Sequence, residues 1–440
     1  MTHIETETLI DGPAPADPAA DAAALAWLED AQKPERLHVR RVPLDALPSW
    51  SFDPDTGTLT HRSGRFFSIE GLRVTTNHGA HAAWMQPIID QSDIGILGLL
   101  ACVEDGRWQL LVQRKVEPGN VNVAQISPTV QATHSNYTRV HGGTRPAYLE
   151  YFLDPPRGAV IVDTLQMEQG ARYCGKRNRN MVVAVRRADV TPHPDYRWMT
   201  LESLWRMAAH ANALNLDTRS VLSCSCIPAR AAAVDPAAIN GTLAWLAALQ
   251  RRYWMTANRV PLRSVEDWRL EGDVLSHVTG RYFEVVGISV EAPTREVPRW
   301  DQPLVRSVGR GVIGFLCQMR DGALRFLARG ALEPGESQVR IGPTLQCIPG
   351  NHDAPPPFFD DIVHAPAERV RFRAVQSEEG GRFYHDERTL VAVELPQDAA
   401  VDPHPDYRWM TAAELRHMIG QYGTVNIEAR ALLACLPFGA

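Results

Sequence analysis

Ser135-Asn136-Tyr137-Thr138-Arg139-Val140-His141-Gly142-Gly143 gathers an amide, a phenol, a hydroxyl, a guanidinium and an imidazole in one short stretch that ends on paired glycines. Glycines let backbone approach a ligand closely, so the stretch can present many hydrogen-bonding groups to a polyhydroxylated molecule. The plain alternative is a polar surface turn. Tyr137 and His141 are groups able to carry a proton, and Asn136, Thr138 and Arg139 are groups able to hydrogen-bond a ligand. Lys176-Arg177-Asn178-Arg179-Asn180 then sets three cations within five residues. Lys176, Arg177 and Arg179 suit a diphosphate, because a guanidinium fork matches phosphate oxygens two at a time; the alternative is a solvated basic turn between strands. Glu168, a few residues earlier, is a further base or an orienting partner for one of these cations. Trp84 and Gln86 in Trp84-Met85-Gln86-Pro87 pair an aromatic face with an amide, which can stack a base or sugar and read its edge, or simply plug a core.

Much of this chemistry occurs twice. Trp84-Met85-Gln86-Pro87 returns as Trp300-Asp301-Gln302-Pro303, Glu117-Pro118-Gly119 as Glu333-Pro334-Gly335, and Pro128-Thr129-Val130-Gln131 as Pro343-Thr344-Leu345-Gln346. Gln166-Met167-Glu168-Gln169-Gly170-Ala171-Arg172-Tyr173 aligns with Gln376-Ser377-Glu378-Glu379-Gly380-Gly381-Arg382-Phe383, and His193 through Thr200 returns unchanged as His404 through Thr411. The matches keep their order, so the chain is a tandem duplication whose period is far too long for a solenoid. The expected division is a disordered 1–16, a first repeat over 17–228, a linker at 229–234 and a second repeat over 235–440. The copies part company in two places. Gly350-Asn351-His352-Asp353 stands where the first copy has its Ser-Asn-Tyr stretch, and Tyr384-His385-Asp386-Glu387-Arg388 stands where it has its cations. His385-Asp386-Glu387 reads as acid/base equipment or as an exposed hairpin tip.

The elements that must position these residues follow from local chemistry. Asp before Pro opens an Ala/Leu/Trp helix in each copy, at Pro18 and at Pro236. Gly64 to Val74 and Gly280 to Val290 alternate apolar and polar residues as short strands do. Asp105-Gly106 and Asp321-Gly322, each between apolar runs, predict hairpins. Two further strands follow in each copy, and Thr200 or Thr411 caps a helix after the repeated octapeptide, which reads as mainly structural. Asn215 and Arg219, matching Asn426 and Arg430, face a ligand or bracket a helix end. Successive strands with flanking helices predict an α+β mixed sheet in each copy.

With 45% hydrophobic and 22% charged residues in 440, the chain is composed like an ordinary globular protein of two or three domains. Its 45 Lys and Arg against 51 Asp and Glu give a net charge of -6, which argues against broad electrostatic binding to nucleic acid or an anionic membrane. No apolar run approaches the ~20 residues of a spanning helix, and Met1 to Pro18 lacks a signal-peptide pattern. Seven unpaired-looking cysteines fit a reducing cytoplasm, and no zinc-ligand spacing accompanies Cys224 and Cys226.

The strand–Asp-Gly–strand order resembles the opening of a Nudix fold, without the carboxylate helix that would hold magnesium against a diphosphate. More closely, the chain resembles the NDP-hexose 2,3-dehydratases of deoxysugar biosynthesis. Pro128 to Thr133, Ser135 to Gly143, Tyr148-Leu149-Glu150-Tyr151-Phe152, Lys176 to Met181 and Gln376 to His385 carry the likeness, which runs from about Trp27 to Leu436. The resemblance implies Nudix-like halves, a homodimer, a dTDP-4-keto-6-deoxyhexose substrate, a downstream 3-ketoreductase consuming the product, and no metal or other cofactor. On this reading Tyr137, His141, Arg139 and Glu168 are the catalytic candidates. The substrate-binding candidates are Trp84, Gln86, Gln131, Asn136, Thr138, Lys176, Arg177 and Arg179 from the first copy. Trp300, Gln302, Gln346, Glu378, Arg382 and Tyr384 join them from the second. The expected division of labour puts elimination in the first copy and leaves the second to bind ligand or brace a dimer.

Overall fold

The computed structural model describes residues 17–436 apart from 34–35, 134–144, 157, 226–233, 272, 294–296 and 402–403. Among these residues the two copies have the same elements in the same order. The first runs α1 (Pro18–Ala31), β1 (His38–Val42), β2 (Trp50–Phe52), β3 (Leu59–His61), β4 (Ser68–Thr76), β5 (Ala83–Asp90), β6 (Gly95–Glu104), β7 (Arg107–Val116), β8 (Ala124–Pro128) and β9 (Val130–Ala132). It continues through α2 (Glu150–Leu153), β10 (Val160–Met167), β11 (Arg177–Ala184), β12 (Tyr196–Thr200), α3 (Leu201–Ala208) and α4 (Leu216–Cys224). The second runs α5 (Pro236–Arg252), β13 (Met255–Val260), β14 (Trp268–Glu271), β15 (Val274–His277), β16 (Phe283–Glu291), β17 (Arg299–Ser307), β18 (Gly311–Arg320), β19 (Ala323–Ala331), β20 (Arg340–Gly342) and β21 (Leu345–Cys347). It closes with α6 (Phe359–Val363), β22 (Val370–Ser377), β23 (Glu387–Glu394), β24 (Tyr407–Thr411), α7 (Ala412–Gly420) and α8 (Ile427–Leu433). No described helix is long and apolar enough to cross a membrane.

The expected caps and turns are in place. Asp17 accepts from Ala20 N at 3.0 Å and Asp235 from Ala237 N at 2.9 Å, each with proline opening the helix. Asp105 and Asp321 take positive φ, 51° and 52°, ahead of glycines that do the same, which is the turn that suits strand twist. Thr200 and Thr411 cap α3 and α7, the latter in a reciprocal capping box with Glu414. The cation run differs from the sequence expectation of a turn, because Arg177 to Asn180 already belong to β11. Alternation explains it: Arg177 and Arg179 point outward, while Asn178 and Asn180 turn inward onto the Glu168 carboxyl and the Ser220 hydroxyl.

Each copy builds a seven-stranded mixed sheet, with β6 parallel to β11 and antiparallel to β7 and β9 in the first, and β18 parallel to β23 in the second. Each also builds a smaller five-stranded sheet, and here the copies exchange a strand. β1 pairs with β16 of the second copy, and β13 pairs with β4 of the first. The sequence boundary between repeats is therefore crossed by backbone pairing. One core spans the inner faces of both large sheets, from Leu99 and Val112 to Phe315 and Ala328, and a second joins the small sheets from Trp50 and Ile69 to Trp268 and Val285. The equivalent rings of Tyr173 and Phe383 meet edge-on at 5.9 Å, on the pseudo-two-fold relation between the copies. The fully buried Arg430 donates to the Met167 carbonyl at 2.7 Å, and Arg219 reaches the equivalent Ser377 carbonyl of the other copy. Asn215 and Asn426 cap the helices that carry these arginines, so both pairs bracket helices across the duplication.

Candidate active site

The exchange brings the loop after β7 against the loop after β22, and the loop after β19 against the loop after β10. Two pseudo-equivalent seams result, each made from both copies. In the first, Gly119 N donates to Gly380 O at 2.7 Å and His385 N to Gly119 O at 2.8 Å. In the second, Gly335 N donates to Gly170 O at 2.6 Å and Gly175 N to Gly335 O at 2.9 Å. A Cβ at Gly119 would stand 1.7 Å from the Phe383 carbonyl oxygen, and one at Gly335 1.7 Å from that of Tyr173. The repeated Glu-Pro-Gly is thus required by contact with the opposite copy.

Lys115 and Glu117 are two apart on extended chain at the end of β7, so both side chains share one face and meet at 3.1 Å. Gln131, on β9, donates to the same Glu117 oxygen at 3.0 Å and is itself held by Asn215 at 3.1 Å and by the Ser127 hydroxyl at 3.0 Å. The other Glu117 oxygen, Oε2, is buried without a hydrogen-bond partner among the described residues. Glu379 of the second copy faces this group, partly exposed, with one oxygen taking the Gly381 N–H at 2.9 Å. A Cβ at Gly381 would lie 2.3 Å from Glu379 Oε1 and 3.7 Å from Glu117 Oε1, so a side chain there would press on the Glu379 carboxyl. Burial pushes the Glu379 carboxyl up to about 7, with the neighbouring Glu117 adding to the rise and Arg382 and Lys115 opposing it. Asp217, at the start of α4, is pushed well above the ordinary carboxylate range by burial and by the surrounding acids.

The second seam repeats the frame with different chemistry. Gln346 donates to Glu333 at 2.8 Å and is held by Asn426 at 3.0 Å. Opposite them Gln169 stands in place of Glu379, its amide donating to Glu378 at 2.6 Å, and Ala171 replaces Gly381. Ala331 replaces Lys115.

The remaining expected site residues are distributed as follows. Asn136, Tyr137, Thr138, Arg139 and His141 lie outside the described residues; the segment that holds them begins just beyond β9 and Gln131. Trp84 donates to Gln86 at 2.9 Å, which donates on to the Ala171 carbonyl at 3.0 Å; Trp300 and Gln302 repeat this at 2.8 Å and, onto Gly381, 2.7 Å. Both pairs fasten the loops that form the seams. Glu168 is buried and accepts from Asn178 at 2.8 Å; burial raises its carboxyl, against the pull of Arg430, Asn178 and Lys176. Lys176 is buried against Asp93, with burial lowering its ammonium. Arg177 meets the Tyr422 hydroxyl at 3.1 Å on the second seam's side, and Arg179 forms a two-pronged pair with Asp163 at 2.7 and 2.6 Å. The three cations thus diverge to separate protein partners. Glu378 pairs with Arg388 at 3.2 Å. Arg382 crosses into the first copy, its guanidinium 4.2 Å over the Phe67 ring and bonded to Gln91 at 2.9 Å. Tyr384 stacks on His385 at 4.2 Å.

Lys115, Glu117, Asp217 and Glu379 were not singled out from sequence. Their signal was present in the repeat alignment, where Glu117-Pro118-Gly119 served only as a marker of duplication and the exchange of Glu379 for Gln169 passed as variation.

Comparison with known proteins bears on the same stretch of chain. A family model described as NDP-hexose 2,3-dehydratase matches residues 21–225 and again 240–436. A dTDP-4-dehydro-6-deoxy-alpha-D-glucopyranose 2,3-dehydratase of Saccharopolyspora spinosa is 41% identical over 437 residues, covering 93% of this chain and 90% of the relative. Enzymes given the same name in Amycolatopsis orientalis and Streptomyces violaceoruber are 41% and 42% identical, each over 93% of this chain and over 89% and 96% of their own lengths.

Proposed function

The chain belongs to the NDP-hexose 2,3-dehydratase family of hydro-lyases, and on that premise we propose that it removes the C2 hydroxyl of dTDP-4-keto-6-deoxy-D-glucose at the first seam. The ketone at C4 acidifies the C3 hydrogen and places the C2 hydroxyl β to a carbonyl. A base takes the C3 proton, charge develops on O4, and the C2 hydroxyl departs with a proton as water. The enol that remains gains a solvent proton at C2 and becomes dTDP-3,4-diketo-2,6-dideoxyglucose. Such a reaction asks for a base, an oxyanion donor and an acid, and consumes no oxidant or reductant.

The observation that carries the reading is the set Lys115, Glu117, Gln131 and Arg382 gathered where the copies meet, beside the start of the segment holding Asn136, Tyr137, Arg139 and His141. In this assignment Tyr137 or His141 protonates the leaving hydroxyl, and Arg139 or Asn136 faces the enolate oxygen. Lys176, Arg177 and Arg179 meet Asp93, Tyr422 and Asp163, so their diphosphate role is a separate part of the proposal. Nudix-like halves, a homodimer, a cytoplasmic setting and a 3-ketoreductase acting on the diketo product complete it.

The test is to incubate the purified chain with dTDP-4-keto-6-deoxyglucose and chelator and follow the sugar nucleotide by mass. Loss of one water, with deuterium entering at C2 in heavy water, is the expected result. Absence of conversion, or strict dependence on added magnesium with release of dTMP, overturns the proposal.

A further inference from the structure

Glu379 has no role in the sequence reading, yet it is the residue by which the two seams differ most. Lys115, Glu379 and Gly381 form one set around the Glu117 carboxyl; Ala331, Gln169 and Ala171 replace them around Glu333. Both frames keep their amide chains, Gln131–Asn215 and Gln346–Asn426, while the ion-paired Glu336 and Arg340 stand in the second where the first has Asn120 and Gln125. What the second seam lacks is a carboxyl lent by the opposite copy: Gln169 stands there, where Glu379 faces the first seam. Glu379 is partly exposed, as are Lys115 and Gly381, whereas Glu117 is buried with one oxygen unpartnered among the described residues.

We propose that Glu379, a residue of the second repeat, is the base that takes the C3 proton in an active site whose other wall belongs to the first repeat. The inference rests on the dehydratase reading above. The C3 proton moves to the Glu379 carboxylate, the C3–H electron pair becomes the C3–C4 double bond, and O4 takes the charge. When that charge returns to re-form the C4 carbonyl, the C3–C4 pair shifts to C2–C3 and the C2–O bond breaks. The departing hydroxide leaves as water with the proton held on Glu379, and the enol's O3 proton passes to solvent as C2 takes one up. The Gly381 N–H holds the base in place, and Lys115 with Glu117 positions and tunes it. The groups around Glu379 are Glu117 and Lys115 from β7, Asp217 from α4, Tyr173 from the first copy's loop, and Arg382 from its own. Their balance with burial leaves this carboxyl at about 7, where a base is half available near neutral pH and proton transfer is efficient in both directions.

The experiment compares full-length Glu379→Gln with Glu333→Gln at the other seam, on dTDP-4-keto-6-deoxyglucose. Glu379→Gln should lower kcat at least about 100-fold with KM within a few-fold, abolish exchange of the C3 hydrogen with heavy water, and keep the wild-type melting behaviour or better. Glu333→Gln should stay within about threefold of wild type, because its seam has Gln169 in place of Glu379. Glu379→Asp should recover part of the rate and shift the acid limb of the kcat/KM profile, which a structural role would leave in place. Full turnover and exchange in Glu379→Gln, or greater loss in Glu333→Gln, overturns the inference. An inactive wild type overturns the dehydratase reading instead, which keeps the two failures distinct.

Discussion

The two seams are built on one frame and differ in what fills it. Both rely on a glycine pressed against the opposite copy's carbonyl, an Asn-capped helix and a buried arginine crossing the duplication. Only the first sets a carboxyl of the opposite copy, Glu379, beside its own Glu117; the second has Gln169 there. On the proposed reading, duplication preserved what holds the halves together and released what works on a ligand. A copy cannot lose its share of the frame without unfolding its partner, whereas one active seam per chain suffices for turnover.

The largest effects should be those that ignore the difference between seams. Gly119→Ala and Gly335→Ala each drive a methyl into a backbone carbonyl of the other copy, and each should cost about 4 kcal/mol or more, read by denaturant unfolding. Tolerance at either glycine would show that the seam opens easily and would weaken the idea of a shared frame. Next come changes that ought to separate the seams. Gly381→Ala should reduce kcat about 10- to 100-fold by pushing the Glu379 carboxyl out of place, while Ala171→Gly leaves turnover within about twofold. Equal losses at both would assign catalysis to both seams.

A smaller effect concerns pH. The folded Glu379 carboxyl sits at about 7, above its ordinary 4.5. Its protonation thus favours the fold below about pH 4.5, and this contribution is lost as pH rises through about 7. Glu379→Gln should then be more stable than wild type at pH 8 by about 1–3 kcal/mol, with the gap closing toward pH 5 in matched urea titrations. A gap that widens on acidification has the wrong sign for a raised carboxyl. The smallest expected change is Arg179→Ala, which removes an exposed pair with Asp163 and should alter stability by less than about 1 kcal/mol. Calorimetric titration with dTDP on the same variant tests its diphosphate role: affinity should fall by about 1–3 kcal/mol, and a change of less than about 0.5 kcal/mol would remove Arg179 from the diphosphate site.

The sequence by itself determined the duplication, the order of elements, the helix starts at Asp17 and Asp235, and the Asp-Gly hairpins. These depend on residues within a few positions of one another, where capping and turn chemistry act directly. It also carried the family likeness, because the repeated motifs stand in order along the chain. Tertiary structure alone decided which copy completes which site. Gln125 and Ser377, bonded at 2.6 Å, are 252 positions apart, and no local pattern announces that β1 and β13 change places. The cation run looked like a ligand clamp because sequence lists charges together, whereas in the fold Lys176, Arg177 and Arg179 each meet a different partner, Asp93, Tyr422 and Asp163. Glu379 looked like a minor variation for the complementary reason. Its meaning comes from Glu117, and the two meet only when each copy has lent its first strand to the other.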